Sequence, residues 1–328
     1  MRENSNSQYF HEYFSEWMDT YKRGYVRNIT FQKYEMTLKR LKQLAPHLQI
    51  CELNKRTYQN LINEYAKTHE RQTVMNFHHH LKAAILDAID ERLIETDFTR
   101  KTVVKGILQK TKRQKFLSQQ ELKELLRHLD LSYLYKTYSP NLGIHTGKEY
   151  KGANWDWFIL LIAKTGLRFS EALGLTPNDF DFENNKIKVS KTWNYKSKTD
   201  NVFDETKNVC SKRTIQIDEQ LSQQFHQLIS VNITDNDKPI FVTGRVFNST
   251  VNDRLEYLCN KAGIPIITVH SLRHTHASLL LYAGVSISSI AGRLGHANTT
   301  TTQDTYLHIV KELENRDKDK VLEHLSAL

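Results

Sequence analysis

Residues 165–175 read Thr165-Gly166-Leu167-Arg168-Phe169-Ser170-Glu171-Ala172-Leu173-Gly174-Leu175. They sit where one apolar segment stops and another begins. The most apolar stretch of the chain, Trp157 to Ala163, runs up to Gly166, and Ala172, Leu173 and Leu175 resume a helical pattern just beyond Arg168. Arg168 and Glu171 are three apart and can share one helix face. Taken alone, such a pair is an ordinary surface ion pair of little energetic value. Its weight comes from what lies on either side.

Downstream, Thr268-Val-His270-Ser-Leu-Arg273-His274-Thr-His276-Ala-Ser places a histidine and an arginine three apart at a predicted helix start. A helix N-terminus offers free N–H groups and a positive dipole end, which suits a phosphate. Arginine adds a planar fork for two phosphate oxygens. His270, His274 and His276 also raise a metal reading, but the stretch lacks the glutamate of an HExxH site and has no acidic residue nearby. Further on, Leu294-Gly-His296-Ala-Asn-Thr-Thr-Thr-Thr-Gln-Asp-Thr-Tyr306-Leu-His308 reads as a helix ending at Gly295 and another opening on the threonines.

Upstream, Asn184-Asn185 is a turn signal between Asp181-Phe182 and an alternating run, Lys186 to Trp193, and Arg213-Thr-Ile-Gln-Ile217 alternates again. These predict one short antiparallel β region, with residues 194–212 as a polar hairpin tip. Ser118-Gln-Gln-Glu121 matches a capping box and opens a helix. Before it, 99–115 is rich in cations and weak in apolar pattern, and reads as an exposed linker. The first hundred residues carry four helical stripes: Phe10, Phe14, Trp17, Tyr21; Phe31, Tyr34, Leu38, Leu41; Tyr58, Leu61, Ile62, Tyr65; and Val74, Phe77, Leu81, Ala84, Ile85, Ala88, Ile89. Four such helices can cover one another's apolar faces. His78, His79 and His80 are consecutive within the last stripe and point in different directions, which makes them structural rather than a metal site.

Length and composition agree with this layout. At ~100–200 residues per domain, 328 residues predict two domains. Only 12 glycines and 5 prolines disfavour a chain of tight β-turns, so the expected class is mainly α. With 39% hydrophobic and 25% charged residues, the chain is composed like a globular protein rather than a disordered one. No run reaches the ~20 apolar residues of a membrane helix, and the N-terminus has no apolar signal core. Cys51, Cys210 and Cys259 form neither a zinc pattern nor a disulfide framework, as expected for a reducing cytoplasm. The net charge of +9 is unevenly spread. Residues 1–115 hold 21 Lys+Arg against 13 Asp+Glu, and the remainder 25 against 24. A basic first third predicts a polyanion partner.

The ordered set Arg168, Lys207, His270-x-x-Arg273, Leu-Gly-His296 and Tyr306 resembles the tyrosine recombinases, the integrases of phages and conjugative transposons. TGLRFSEALGL is similar to the family's first-arginine motif, HSLRHTHAS to its second, and LGHANTTTTQDTYLHI to its third. The spacings fit as well: about 100 residues between the arginines, and 33 from Arg273 to Tyr306. The resemblance covers about 120–328, and the basic bundle resembles the family's core-binding domain less specifically. It implies a core-binding four-helix (SAM-like) bundle over 1–112 with a basic linker at about 104–115. A mixed α/β catalytic domain with a small antiparallel sheet follows over 113–328. The family's lysine is the least secure match. Arg213-Thr-Ile-Gln-Ile217 stands for its R-x-I-P strand with Gln216 in place of proline, and Lys207 fits best, with Lys212 and Lys198 as competitors.

The resemblance also implies roles. Tyr306 is the nucleophile, with its pKa lowered by neighbouring cations, and it forms a 3′-phosphotyrosyl link. Arg168 and Arg273 hold the phosphate oxygens, and His270 and His296 donate hydrogen bonds or take the tyrosine proton. Lys207 protonates the leaving 5′ oxygen, while Glu171 orients rather than reacts. Lys110, Lys112, Arg113 and Lys115 lie along the DNA backbone. No cofactor, metal or ATP is implied. The implied partners are double-stranded DNA at recombination core sites and a homotetramer on two duplexes, with room for an accessory excision factor. The implied location is the bacterial cytoplasm, at the nucleoid.

A tail containing Val310, Leu313, Val321, Leu322 and Leu325 reads as an amphipathic helix that docks on a neighbouring protomer or on its own domain. Since the bundle begins at about residue 8, the expectation is that the small arm-binding domain carried by many integrases is absent here, whether the natural protein lacks one or was trimmed behind an added Met1. Three other readings compete. A type IB topoisomerase would relax DNA without strand exchange. A DNA-binding regulator would have lost the chemistry, and a zinc hydrolase would be built on the histidines.

Overall fold

The computed structural model describes residues 8–108, 116–138, 150–195, 203–206, 209–242, 246–300, 302–303 and 305–306. The chain divides into two compact units, Met1–Lys112 and Arg113–Leu328. Among the described residues, no helix is long and apolar enough to cross a membrane.

In the first unit the four stripes become α1 (Phe10–Tyr21), α2 (Asn28–Leu44), α3 (Lys55–Ala66) and α4 (Arg71–Asp90). Phe10, Phe14, Trp17, Leu41, Tyr58, Ile62, Leu81 and Ile85 meet in one core. Tyr21, last of its stripe, is instead exposed, and its hydroxyl donates to Glu91. Asn54 caps α3 by accepting from the backbone N–H of Arg56 and Thr57. The three consecutive histidines do part company. His78 Nδ1 lies 2.8 Å from the Tyr58 hydroxyl, His80 Nδ1 lies 2.8 Å from the Thr37 hydroxyl, and His79 is exposed. Burial lowers the pKa of His78 and of His80 to about 4, so both stay neutral in this core.

In the expected exposed linker over 99–115, Arg100, Lys101, Val103, Lys105, Ile107 and Leu108 are exposed, yet the backbone of its first part is held by specific bonds. The Gln59 side chain donates to Val103 O and accepts from Val103 N, and Ile107 N donates to His69 O. These partners satisfy backbone groups that an extended polar segment would leave to water, and residues 99–107 lie against the bundle. Composition alone could not show this, because the anchoring donors and acceptors are about 40 residues away in sequence. Lys110, Lys112, Arg113 and Lys115 lie outside the described residues.

In the second unit, Ser118 and Glu121 exchange the reciprocal bonds of a capping box at the start of α5 (Gln119–Arg127). α6 (Trp155–Thr165) is the central helix. Trp155 to Ala163 and Thr165 are all buried, which explains why its sequence is apolar all round rather than striped. Its buried Asp156 receives both arms of Arg254 at 2.7 Å. α7 (Phe169–Leu173) follows, then three short strands, β3 (Phe180–Asp181), β4 (Lys186–Val189) and β7 (Arg213–Gln216), paired antiparallel in the order β3-β4-β7. Asn184-Asn185 makes the β3–β4 turn, with Asn185 at φ 52° and Asn184 N donating to Asp181.

Two features of the β structure differ from expectation. The alternating run 186–193 is two strands: after Val189 the chain leaves the three-stranded sheet, and β5 (Lys191–Trp193) pairs with β6 (Phe203–Glu205). A further hairpin, β1 (Tyr135–Tyr138) with β2 (Tyr150–Ala153), lies before α6. Its strands YKTY and YKGA carry no apolar alternation, so pattern reading has nothing to detect. Among the described residues, four longer helices follow: α8 (Glu219–Asn232), α9 (Asn248–Ala262), α10 (Val269–Tyr282) and α11 (Ile287–Leu294). The tail containing Val310 to Leu325 lies outside the described residues.

Candidate active site

The site is built on two left-handed turns. α6 ends at Gly166 with φ 70°, and α11 ends at Gly295 with φ 68°. A side chain at Gly166 would come within 2.7 Å of the His276 ring, and one at Gly295 within 2.8 Å of the Arg213 guanidinium. Both positions therefore demand glycine for conformation and for space. Their carbonyls, and that of the neighbouring Leu294, become the anchors of the site.

Arg273, on α10 and 3% exposed, donates Nη1 to Gly166 O at 2.8 Å and Nη2 to Leu294 O at 2.7 Å. Arg168 precedes α7 and donates Nη2 to Gly295 O at 2.9 Å and Nη1 to Glu171 Oε1 at 2.7 Å. Three segments far apart in sequence thus meet at the Leu294-Gly295 peptide. Burial, then the charge of Arg168, lowers the Arg273 pKa, yet it remains a cation at neutral pH. The Arg168–Glu171 pair is not the exposed surface pair that spacing alone allows. Glu171 is 1% exposed and also receives Arg213 from β7, Nη2 to Oε2 at 3.0 Å. Burial by itself would raise the Glu171 carboxyl. The hydrogen bond and charge of Arg213, then the charge of Arg168, outweigh it and hold the pKa below the usual value.

Tyr306 is buried with Phe116, Ala277, Leu281, Ile290 and Leu294. Its hydroxyl lies 2.9 Å from His274 Nδ1. Burial raises the phenol to about 12, although Arg273 pulls the other way. The expected lowering by cations is therefore corrected: the loss of hydration outweighs the nearby guanidinium. His296 Nδ1 lies 2.7 Å from the Thr302 hydroxyl. Burial, followed by Arg273, Arg168 and Arg213, lowers its pKa to about 4, so it acts as a neutral imidazole. His270, in the first turn of α10, is exposed and sets its ring edge-on to His274 at 4.8 Å. Dehydration by its surroundings, then Arg273 and Arg168, lowers its pKa. Thr268 fixes the start of α10 by capping Ser271 N.

Of the lysine candidates, Lys207 and Lys198 lie outside the described residues, and Lys212 is exposed beside Ser211. The histidines that raised a metal reading face different partners. His276 Nδ1 is 3.1 Å from Ala163 O, and its Nε2 accepts from Arg293 Nε at 2.9 Å, while His274 meets Tyr306. Among the described residues, no group of three or more His, Cys, Asp and Glu side chains is placed to hold a metal ion.

Three contributors escape motif reading: Arg213, His274, and the His276–Arg293 pair. Arg213 does leave a signal. It has the same strand parity as the buried Ile215, and an arginine on an inward face needs a buried acid. His274 leaves only its helical spacing of four from His270, which does not specify the contact with Tyr306.

Folding leaves a pH signature here. The His276 pKa falls from 6.5 to about 4 on burial. Between those values the unfolded chain binds more protons than the folded one. The stabilisation is then complete above pH 6.5 and lost as pH falls toward 4, by at most ~3 kcal/mol for a shift of that size. Urea midpoints should drop between pH 7 and pH 4, and His276→Gln should flatten that drop. An equal drop in the variant would remove His276 from the explanation.

A family model described as the phage integrase family matches residues 115–312. The chain is 24% identical over 333 residues to the integrase of Staphylococcus phage L54a, covering 96% of this chain and 93% of that one. It is 27% identical over 282 residues to the transposase of transposon Tn916 from Enterococcus faecalis, covering 78% of this chain and 64% of that one. Among solved structures, a Tn1549 transposon integrase in complex with a circular-intermediate DNA superposes with a TM-score of 0.72 at 21% identity, over 94% of this chain and 100% of that one. At that identity the likeness is one of fold.

Proposed function

This chain belongs to the phage integrase family, the tyrosine-type site-specific recombinases, and from that premise we propose how its own residues recombine DNA. It is the site-specific recombinase of a mobile element. Tyr306 Oη attacks a scissile phosphate in double-stranded DNA and becomes linked to the 3′ phosphate. Arg168 and Arg273 bind the non-bridging oxygens and offset the charge that grows there. Glu171, gripped by Arg213, holds Arg168 in place. His270 and His296 supply hydrogen bonds around the phosphate. A lysine of the 191–213 segment, Lys207 by its spacing, protonates the departing 5′ oxygen.

The 5′-hydroxyl of a partner strand then reverses the step, so the bond energy is retained and ATP is not consumed. Two exchanges with a Holliday junction between them complete recombination in a homotetramer on two duplexes. The observation that carries this reading is the junction of all three motifs at Leu294-Gly295. One turn binds Arg273, Arg168 and the segment leading to His296 into a single cationic cradle next to Tyr306. Incubation with nicked suicide DNA from the element's ends should trap a covalent complex that maps to Tyr306. Relaxation of supercoiled DNA without exchange between two sites would instead favour topoisomerase chemistry.

The bundle and the 104–115 stretch are proposed as the main backbone-binding surface, since residues 1–115 hold nearly all the net positive charge. A fragment of residues 116–328 should bind the core site far more weakly, with a shallower salt dependence. Each lost phosphate contact removes about 0.9 from the log–log slope. Neutralising Lys110, Lys112, Arg113 and Lys115 together should weaken binding on any sequence, because backbone contacts position without specifying. A fourfold variant with the wild-type slope would take those cations off the DNA.

A further inference from the structure

The cationic cradle hangs on the C-terminal end of α11. A helix C-terminus leaves carbonyls without intrahelical partners, and they carry the negative end of the dipole. Here three consecutive carbonyls each accept a different arginine. Arg293 O takes Arg213 Nε at 2.6 Å, Leu294 O takes Arg273 Nη2 at 2.7 Å, and Gly295 O takes Arg168 Nη2 at 2.9 Å. Glu171 accepts from both Arg213 and Arg168, which closes a ring through the 293–295 backbone. The side chain of Arg293 then binds the three elements around this turn. Its Nε donates to His276 Nε2 on α10 at 2.9 Å, its Nη1 to Gln216 O at the end of β7 at 2.8 Å, and its Nη2 to Lys164 O in the last turn of α6 at 3.4 Å. β7 and α11 are thus fastened in both directions: the Arg213 side chain reaches the Arg293 backbone, and the Arg293 side chain reaches the backbone of Gln216. An arginine in the last turn of a helix ordinarily serves its own helix end. This one ties that end to three others.

We propose that Arg293 is a positioning residue for strand cleavage: by pinning the 293–295 turn between α6, α10 and β7, it keeps the Arg168 and Arg273 forks in register on one phosphate. The inference rests on the phosphate-clamp reading of those two arginines. Each of them gives an N–H to a carbonyl of the turn, so a shift of the turn displaces both forks together. A misplacement of about 1 Å at a group that must meet a transition state can cost about 10²-fold in rate. All three guanidinium nitrogens of Arg293 are engaged with protein, so it acts through the turn rather than on the DNA. A lysine keeps the charge there but is a single point that cannot reach three acceptors.

The test follows single-turnover cleavage of suicide DNA at saturating protein by Arg293→Gln and Arg293→Lys. Each is compared with wild type on an ordinary scissile phosphate and on a methylphosphonate at the same position. The methylphosphonate carries a methyl group in place of one non-bridging oxygen, so it is neutral and demands far less of a guanidinium clamp. Both variants should lose about 10²-fold on the phosphate with DNA affinity near wild type, and most of that loss should disappear on the methylphosphonate. The ratio of the two rates does not depend on the fraction of protein folded, so a destabilised variant still reports. Equal losses on the two substrates would overturn the proposal and leave Arg293 a tie that only stabilises the fold. A wild-type rate on the phosphate would overturn it as well. A second arm combines Arg293→Gln with Arg168→Lys. Residues that act through one clamp are non-additive, so the double variant should be little slower than Arg168→Lys alone, and losses that multiply would count against the proposal. If Arg168→Lys and Arg273→Lys cleave at the wild-type rate, the clamp reading fails first. If those two are impaired and the Arg293 variants are not, this inference alone fails.

Discussion

Tyr306→Phe should abolish formation of the covalent DNA complex while leaving DNA affinity nearly unchanged. The variant removes one oxygen and keeps the ring in its pocket among Phe116, Leu281, Ile290 and Leu294. The lost hydroxyl contact with His274 is worth about 1 kcal/mol, too little to unfold a domain of this size. Denaturing gels after incubation with suicide DNA read the adduct, and a band-shift titration reads the binding. A persisting adduct in the phenylalanine variant would overturn the assignment, and Tyr282, 40% exposed near the end of α10, would be examined next.

The result would also separate two ideas about activation. Read from the sequence, a tyrosine near two arginines should be acidified. In the folded protein the reverse holds, because burial removes more stabilisation from the phenolate than Arg273 restores. Reactivity then depends on what happens as the phosphate arrives: a proton acceptor in contact, and guanidinium groups that stabilise the transition state rather than the resting nucleophile.

The helices were legible because burial is periodic along them. Each of the four N-terminal stripes became a helix, and the Ser118 capping box stands where the sequence puts it. The Asn184-Asn185 turn was legible because asparagine tolerates the left-handed backbone it adopts. The β1–β2 hairpin was not, since YKTY and YKGA carry no apolar alternation in sequence. In the site, the motif arginines, His296 and Tyr306 could be named by their resemblance to the family's motifs, yet their partners could not. Carbonyl anchors such as Gly166 O and Leu294 O carry no side-chain signature. Nothing in a linear pattern says that Arg213 and Arg168 share one carboxylate.

That unseen framework is what makes Arg273→Lys a severe change. Arg273 spans two turns, with one arm on Gly166 O and the other on Leu294 O, and still has N–H groups left to offer a phosphate. A lysine ammonium keeps the charge but is a single point that cannot reach both carbonyls and the ligand. A buried carbonyl left without its donor costs about 1–3 kcal/mol, so the variant should melt below wild type. The chemical step should slow by roughly 10²–10³-fold, the usual loss for one missing transition-state donor. Arg168→Lys offers the comparison. That side chain is 30% exposed, so its stability loss should be smaller while its rate loss is similar. Since both lysine variants preserve charge, the salt dependence of DNA binding should stay at the wild-type slope. Single-turnover cleavage and thermal melting on the two variants read these effects apart. A near-wild-type rate in both would reject the phosphate clamp. A rate loss that merely tracked melting would reduce Arg273 to a structural tie between α6 and α11.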